Sequence, residues 1–511
     1  MGTSFNKNLP FDSVNEIQLL IKSRYPIIYL ETWEEERAER LIKIVAKNLN
    51  KFLFIWKSTK GLFRADIQET IYNTVKPLSA LSHIYSSNVP AIYLLKDFHY
   101  YLEDPVIIRK LKDISRIFEN RESTIIISSP LVKIPFELKR LIAHYELKLP
   151  SQKELLKTIL EAIEELRNTA HIKIEVGRNE LNQMAERLKG LTEKEAKRVV
   201  FQAILHDNRL SEDDFAQILK AKKTIIETSS ILEFYYSEES FSSVGGMKRL
   251  KTWLEKRKGV FCEEAKKFGL QPPKGILVTG VQGCGKSQIA KAVARDWNLP
   301  LLRLDTGKIY DKYIGESEKN LRQALKIAES MAPVILWIDE IEKGFSFSAS
   351  SEADSGLSKR IFGTFLTWLQ EKKELVFVIA TSNNISALPP EFLRKGRFDE
   401  IFFVDLPDYQ ERKEIFSIHL KKRNRDPKNF DLDILAKRTK GFSGAEIEQV
   451  IVSALFSAFS GSGNLTTELI LEEIESTRPL SITMKEEIET LRNWARKRTV
   501  PAGEDFNQEI I

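Results

Sequence analysis

The sequence predicts an α/β protein in which parallel strands are flanked by helices, organised as two successive α/β domains. Three observations predict it. An apolar run, Gly275-Ile276-Leu277-Val278-Thr279, passes into the glycine-rich stretch GVQGCGKS at 280–287 and then into a helix-like segment at 288–297. Further apolar runs at 334–338 and 376–380 end in polar residues, as strands do when their carboxyl ends carry chemistry. The first half repeats this rhythm with runs at 25–32, 91–98 and 123–129. Strands separated by helix-length intervals are the pattern of a doubly wound parallel sheet.

At 511 residues the chain has room for about two to four domains. Its 42% hydrophobic and 29% charged content is that of an ordinary globular protein. A formal net charge of +6 is small for this length, which disfavours nucleic acid as a partner. The cysteines, Cys262 and Cys284, are too few for a disulfide framework or a Cys-rich zinc site and suit a reducing compartment. No run approaches the ~20 apolar residues of a membrane span. The first residues carry acids early and show no charged-then-apolar leader. The expected setting is a cytosol-like compartment, or an organelle only if the gene is borne there.

The stretch 280–287 matches G-x-x-x-x-G-K-[ST] at every fixed position, and its place between strand and helix turns a string match into a mechanism. The glycines let the backbone N–H groups of Gly280, Val281, Gln282, Gly283, Cys284 and Gly285 close around phosphates. The helix start at Lys286, Ser287 and Gln288 adds its positive dipole end. Lys286 would reach the β- and γ-phosphates of a nucleoside triphosphate, and Ser287 would bind Mg²⁺ through its hydroxyl.

Downstream, Val334-Ile335-Leu336-Trp337-Ile338-Asp339-Glu340 is an apolar strand ending in acids. Asp339 would hold Mg²⁺, and Glu340 would orient and polarise an attacking water. A buried strand that happens to end in acids is the plainer explanation, and the glycine loop upstream argues against it. A third strand ends at Asn383, where a polar side chain would stand between the γ-phosphate and the water. After it, Leu393-Arg394-Lys395-Gly396-Arg397-Phe398-Asp399 holds arginines beside a turn glycine. They suit either a basic surface turn or a contact that stabilises phosphate charge in a neighbouring subunit.

These residues carry a family resemblance. The run ATSNNISALPPEFLRKGRFD resembles the second region of homology of AAA-type ATPases. Gly441-Phe442-Ser443-Gly444-Ala445-Glu446 resembles their lid motif, and Phe241-Ser242-Ser243-Val244-Gly245-Gly246 resembles the segment that receives adenine. The resemblance implies a P-loop AAA module, a parallel sheet flanked by helices plus a helical lid, with ATP and Mg²⁺ as ligands. It implies that Gly245, Gly444, Ala445 and His419 lie at the nucleotide and that Asn383 is the first sensor. His419 as a satisfied lid histidine without a ligand role stands as an equal alternative. Arg394 and Arg397 are implied to be trans-acting fingers, which makes the working unit a homo-oligomeric ring, a hexamer. Tyr313 and Ile314 resemble an aromatic-aliphatic pore loop that grips a polypeptide; the plainer reading of such a pair is core packing. The chain departs from the pattern at Val281-Gln282 and Cys284, where Pro-Pro and Thr are common. It also has Ala445 in place of a lid arginine, as part of the AAA clade does. Cys284, next to phosphate and a helix N-terminus, is expected to have a lowered thiol pKa and to be open to oxidation.

The first half keeps the plan without the chemistry. Trp33-Glu34-Glu35-Glu36-Arg37 stands where the glycine loop would be, and carboxylates there satisfy the helix dipole and repel a triphosphate. Phe98 stands in the position of the catalytic Glu. Residues 1–228 are therefore read as a degenerate, non-nucleotide-binding AAA-like domain, with an unrelated doubly wound domain as the alternative. A linker at 229–243, an ATPase core at 244–407, a lid at 408–475 and a helical extension at 476–511 complete the expected order. In the extension, Thr483 is the expected N-cap with Glu486 as its capping-box partner, and the helix is expected to pack on the lid. Along its whole length the chain resembles AAA ATPases encoded as hypothetical reading frames of algal chloroplast genomes, with relatives in cyanobacteria and other bacteria. The expected activity is ATP hydrolysis that remodels a protein partner; a nucleotide-controlled assembly switch is the alternative.

Overall fold

The computed structural model describes residues 13–67, 69–169, 172–211, 214–229, 231–235, 239–260, 265, 267–309, 316–345, 352–394, 396–461 and 463–504. The chain divides into two compact units, Met1–Phe215 and Ala216–Ile511.

In the first unit, β1 (Ile27–Glu31), β2 (Phe52–Lys57), β3 (Gly61–Arg64), β4 (Ala91–Lys96), β5 (Thr124–Ser129) and β6 (Ile142–Glu146) form one sheet in the order β3-β2-β4-β5-β1-β6. Neighbours run parallel except β3, which turns back antiparallel on β2. Alternate strand residues feed cores on opposite faces. Ile27 and Tyr29 pack with Leu81 and Leu111, while Ile28 and Leu30 pack with Ile17 and Leu41. That is why these strands read as continuous apolar runs rather than alternating ones. Helices Gln152–Thr169, Arg178–Arg187 and Glu193–Asp207 follow, the last opened by a capping box between Thr192 and Glu195. A small parallel pair, β7 (Lys173–Ile174) and β8 (Arg209–Leu210), accompanies them.

An ion-pair network occupies the turn after β1. The Arg37 side chain is only 4% exposed and donates to Glu34 at 2.7 Å, to the Lys148 carbonyl at 2.6 Å and to Glu154 at 2.9 Å. Glu34 also accepts the backbone N–H of Glu193 at 2.7 Å. Buried Lys96, at the end of β4, pairs with Glu35 at 2.7 Å and with Glu39. Glu34 and Glu35, read from the sequence as a barrier to phosphate, are thus engaged by protein cations. The Arg37 contacts tie the sheet to the helices that follow it.

In the second unit the strands are β9 (Leu232–Tyr235), β10 (Gly275–Gly280), β11 (Leu301–Leu304), β12 (Val334–Ile338), β13 (Val376–Ser382), β14 (Glu400–Val404) and β15 (Val500–Pro501). Their order is β15-β14-β10-β13-β12-β11-β9, with β9 antiparallel to β11. The series β14-β10-β13-β12-β11 has the same order as β6-β1-β5-β4-β2 of the first unit, and each sheet adds an antiparallel strand at the same end. Part of the segment read as linker is therefore sheet. Leu232 and Phe234 are buried as β9 pairs along β11, so Phe234 and Tyr235 belong to an edge strand.

The lid helices Tyr409–Lys422, Leu432–Arg438, Gly444–Ser460 and Thr467–Ser476 close on their own core of Phe416, Leu420, Leu435, Ile447, Ile451 and Ile470. Asp408, Asp431 and Ser443 cap the first three of these helices with side-chain hydrogen bonds. In the C-terminal extension Thr483 is not an N-cap. It ends the short turn Leu480–Thr483, which starts directly after Pro479, and its hydroxyl donates back to Leu480. The helix Lys485–Ala495 then begins after Met484 without a side-chain cap. Its Ile488 packs into the ATPase-sheet core rather than the lid core, and Arg492 pairs with Asp405 at 2.9 Å. The preceding turn meets the lid, where the Leu480 N–H donates to Glu446 at 2.6 Å. Among the described residues no helix is long and apolar enough to cross a membrane.

Arg37→Met would leave Glu34 as a buried carboxylate without its cation. The expected cost is about 3 kcal/mol, read as an earlier urea transition for amides of β1 and β5 in hydrogen exchange, with the second unit unaffected. An unchanged transition would show that the network contributes nothing to the first unit.

Candidate active site

The site is built from the end of β10 outward. Gly280 has φ +143°, and a Cβ there would lie 2.0 Å from the Val404 carbonyl of β14, so only glycine allows the strands to run this close before the loop turns away. Gly283 and Gly285 hold φ of +77° and +83° and let the loop curl onto the start of the helix Lys286–Trp297. A helix N-terminus preceded by such a loop is a ready anion site. The Lys286 ammonium donates to the Gly280 and Val281 carbonyls at 2.9 and 2.7 Å. Burial pushes it below the ordinary lysine range. Cys284 corrects the sequence expectation. Burial pushes its thiol up to about 12 instead of lowering it, because desolvation outweighs the pull of Lys286.

The carboxylates converge on the same loop. Asp339 Oδ1 accepts hydrogen bonds from Ser287 Oγ at 2.8 Å and Thr381 Oγ1 at 2.6 Å. Thr381 Oγ1 in turn accepts the backbone N–H of Glu340 at 3.1 Å. Glu340 sits at φ +47°, a backbone conformation that costs a non-glycine residue energy and recurs at functional sites. Asn383 Nδ2 donates to Glu340 Oε1 at 2.8 Å, and Lys343 pairs with the other Glu340 oxygen. A serine hydroxyl and an aspartate carboxylate within hydrogen-bond distance are hard oxygen donors of the kind Mg²⁺ takes when phosphates and water complete its shell. These residues fit that ion.

A cavity of about 380 Å³ opens above this group. Gln282, Gly283, Cys284, Gly285, Lys286, Ser287, Gln288, Asp339, Glu340 and Asn383 line it, together with Gly245, His419, Gly444 and Ala445. The glycine segment is seated on the first lid helix. Gly246 and Met247 donate their N–H groups to Glu414 and Glu411 at 3.0 and 3.2 Å, and a Cβ at Gly245 would collide with Ile415 at 2.5 Å. Gly283 O accepts the Ala445 N–H at 2.9 Å, which joins loop to lid. His419 is buried beside Glu448, its Nδ1 3.4 Å from the carboxylate, and burial holds its pKa below the usual histidine value.

Some expected site residues stand elsewhere. Gly280 and Val281 contribute carbonyls to Lys286 but do not line the cavity. Arg394 is exposed, Arg397 bonds the Glu391 carbonyl, and neither lines the cavity of its own chain. Tyr313 and Ile314 lie outside the described residues. Sequence reasoning missed Thr381, Glu411, Glu448 and the 501–504 segment, all of which line the cavity. Thr381 sits two residues before Asn383 in the run that resembled the sensor strand, and that proximity was the available signal.

Comparison with protein-family models matches residues 276–406 to the ATPase family associated with various cellular activities (AAA) and 429–468 to the AAA+ lid domain. Residues 13–147 and 153–229 match the N-terminal and second domains of SpoVK-like AAA ATPases. The chain is 40% identical over 495 residues to the AAA domain-containing protein ycf46 of Guillardia theta, covering 96% of each. The chain belongs to the AAA ATPase family. The ycf46 protein of Pyropia yezoensis is 41% identical, over 94% of this chain and 97% of its own. The AAA module also resembles a proteasome-activating nucleotidase of Saccharolobus islandicus, 35% identical over 48% of this chain and 63% of that relative.

In this AAA ATPase the buried thiol of Cys284 should be inert. In a Cys262→Ser variant, a disulfide reagent at pH 8 is expected to label Cys284 at least ~100-fold more slowly than free cysteine, since the thiolate is the reacting species. Denaturation should restore full labelling. Fast labelling of the folded chain would reinstate a reactive thiol.

Proposed function

We propose that the chain is a Mg²⁺-dependent ATP hydrolase that works as a homo-oligomeric ring, most simply a hexamer, and spends the energy on remodelling a protein partner. The observation that carries the hydrolytic part is the Asn383–Glu340 hydrogen bond at 2.8 Å beside the Ser287–Asp339 pair at 2.8 Å, both at one cavity. ATP would lie with its phosphates along 282–288 and its base toward Gly245, His419, Gly444 and Ala445. Mg²⁺, when bound, supplies charge neutralisation at the phosphates. Ser287 and Asp339 orient themselves for it through the shared oxygen. Lys286 turns from the loop carbonyls to the phosphates. Glu340, aimed by Asn383, holds the attacking water and accepts its proton.

The ring is supported by what the cavity lacks. Arg394 is exposed, Arg397 is half-buried on the Glu391 carbonyl, and neither lines the cavity, so a role in transition-state stabilisation requires a neighbouring copy. A protein partner is the reading favoured by Tyr313 and Ile314 as a pore loop and by the relative named as a proteasome-activating nucleotidase. In this reading the first unit binds no nucleotide, because Arg37, Lys96 and their glutamates occupy the turn where phosphates would lie. Its role is partner binding or control of the ring.

The test is the ATPase rate against protein concentration for wild type, Glu340→Gln and Arg397→Ala. A cooperative rise for wild type, with losses on the order of 100-fold or more in both variants, is expected. A rate independent of concentration, or indifferent to Arg397→Ala, would instead favour a monomeric switch.

A further inference from the structure

We infer that Glu342 is a positioning residue for hydrolysis, its buried carboxylate fixing the backbone of Asn383 so that the Asn383 amide meets Glu340. The inference rests on the ATPase reading above. It begins with a backbone problem. β13 ends at Ser382, so Asn383 and Asn384 are the first residues whose N–H groups have left the sheet, and the N–H of half-buried Asn383 needs a partner.

Glu342 supplies the partner. It lies in the short helix Ile341–Phe345 that follows Glu340, and it is only 8% exposed. Its Oε1 accepts the Asn383 N–H at 2.9 Å and the Asn384 N–H at 3.3 Å. The ends of β12 and β13 are therefore stitched in both directions. Thr381 receives the Glu340 N–H at 3.1 Å, and Glu342 receives the N–H groups of Asn383 and Asn384. The distance these stitches set is the 2.8 Å between Asn383 Nδ2 and Glu340 Oε1.

Stability alone does not account for a carboxylate here. Glu342 Oε2 is buried and has no hydrogen-bond partner among the described residues. A buried carboxylate with one orphan oxygen, close to where a triphosphate would bind, carries a desolvation cost. A residue kept under that cost is expected to act through the geometry it imposes. Near a reacting centre, a misplacement of ~1 Å costs on the order of 100-fold in rate.

Glu342→Ala and Glu342→Gln test this, because Gln retains an acceptor oxygen and Ala does not. The Ala variant is expected to lose about 100-fold in kcat. Its KM and its affinity for a fluorescent ATP analogue should stay within ~3-fold of wild type, the signature of a group acting only in the transition state. The Gln variant should recover most of the rate. Hydrogen exchange should show the amides of 383 and 384 deprotected in the Ala variant and protected in the Gln variant. An Ala variant that keeps its kcat, keeps those amides protected, or loses affinity in step with rate would overturn the proposal. If wild type itself hydrolyses no ATP, the ATPase reading falls, and the exchange measurement still decides whether Glu342 holds Asn383.

Discussion

One carboxylate oxygen organises the site. Asp339 Oδ1 takes hydrogen bonds from Ser287 and Thr381, so the phosphate-loop helix, the β12 end and the β13 strand all register on a single atom. Because Thr381 also receives the Glu340 N–H, the backbone of the proposed catalytic glutamate is set by the same contact. The lid is tied in separately, through the Ala445 N–H on the loop carbonyl of Gly283 and through Glu411 and Glu414 on the 246–247 backbone. Lid position and loop shape are thereby coupled through hydrogen bonds at the cavity itself. That is the arrangement needed for nucleotide state to move the lid.

The two units offer an internal comparison. They share the order of five parallel strands and an antiparallel strand at the same edge, yet the turn after the corresponding strands β1 and β10 differs completely. In the second unit it is a glycine loop with Lys286 facing carbonyls. In the first it is a knot of charges in which Arg37 bridges Glu34, Glu154 and the Lys148 carbonyl. In the second unit the loop is tied to the lid by the Ala445 N–H on Gly283 O, and in the first Arg37 ties the turn to the helix that carries Glu154.

What could be read in advance followed from how local the chemistry is. Residues 282–288 lie within one strand-loop-helix unit, and Asp339, Glu340 and Asn383 follow directly on apolar strands, so their positions at the cavity were legible in the sequence. Thr381 was not legible, because its role depends on the register of β12 on β13, which pairs Ile338 with Ala380. The Arg37 network was missed for a similar reason, since Glu154 and Glu193 are distant in the chain. β9 read as linker because a four-residue edge strand carries little periodicity of its own and gains its pairing from β11. Cys284 was misjudged because proximity to a lysine and a helix start is visible in sequence whereas burial is not.

The measurement that bears most directly on this picture is the stoichiometry of ATP binding to the full chain, by calorimetric titration with hydrolysis suppressed by omitting Mg²⁺ and adding chelator. The expected result is a single nucleotide per chain, abolished by Lys286→Ala. Two nucleotides per chain would contradict it, because the first unit, with Arg37 and Lys96 in their glutamate pairs, would then still receive a triphosphate; binding that survives Lys286→Ala would contradict it by showing that Lys286 does not hold the nucleotide.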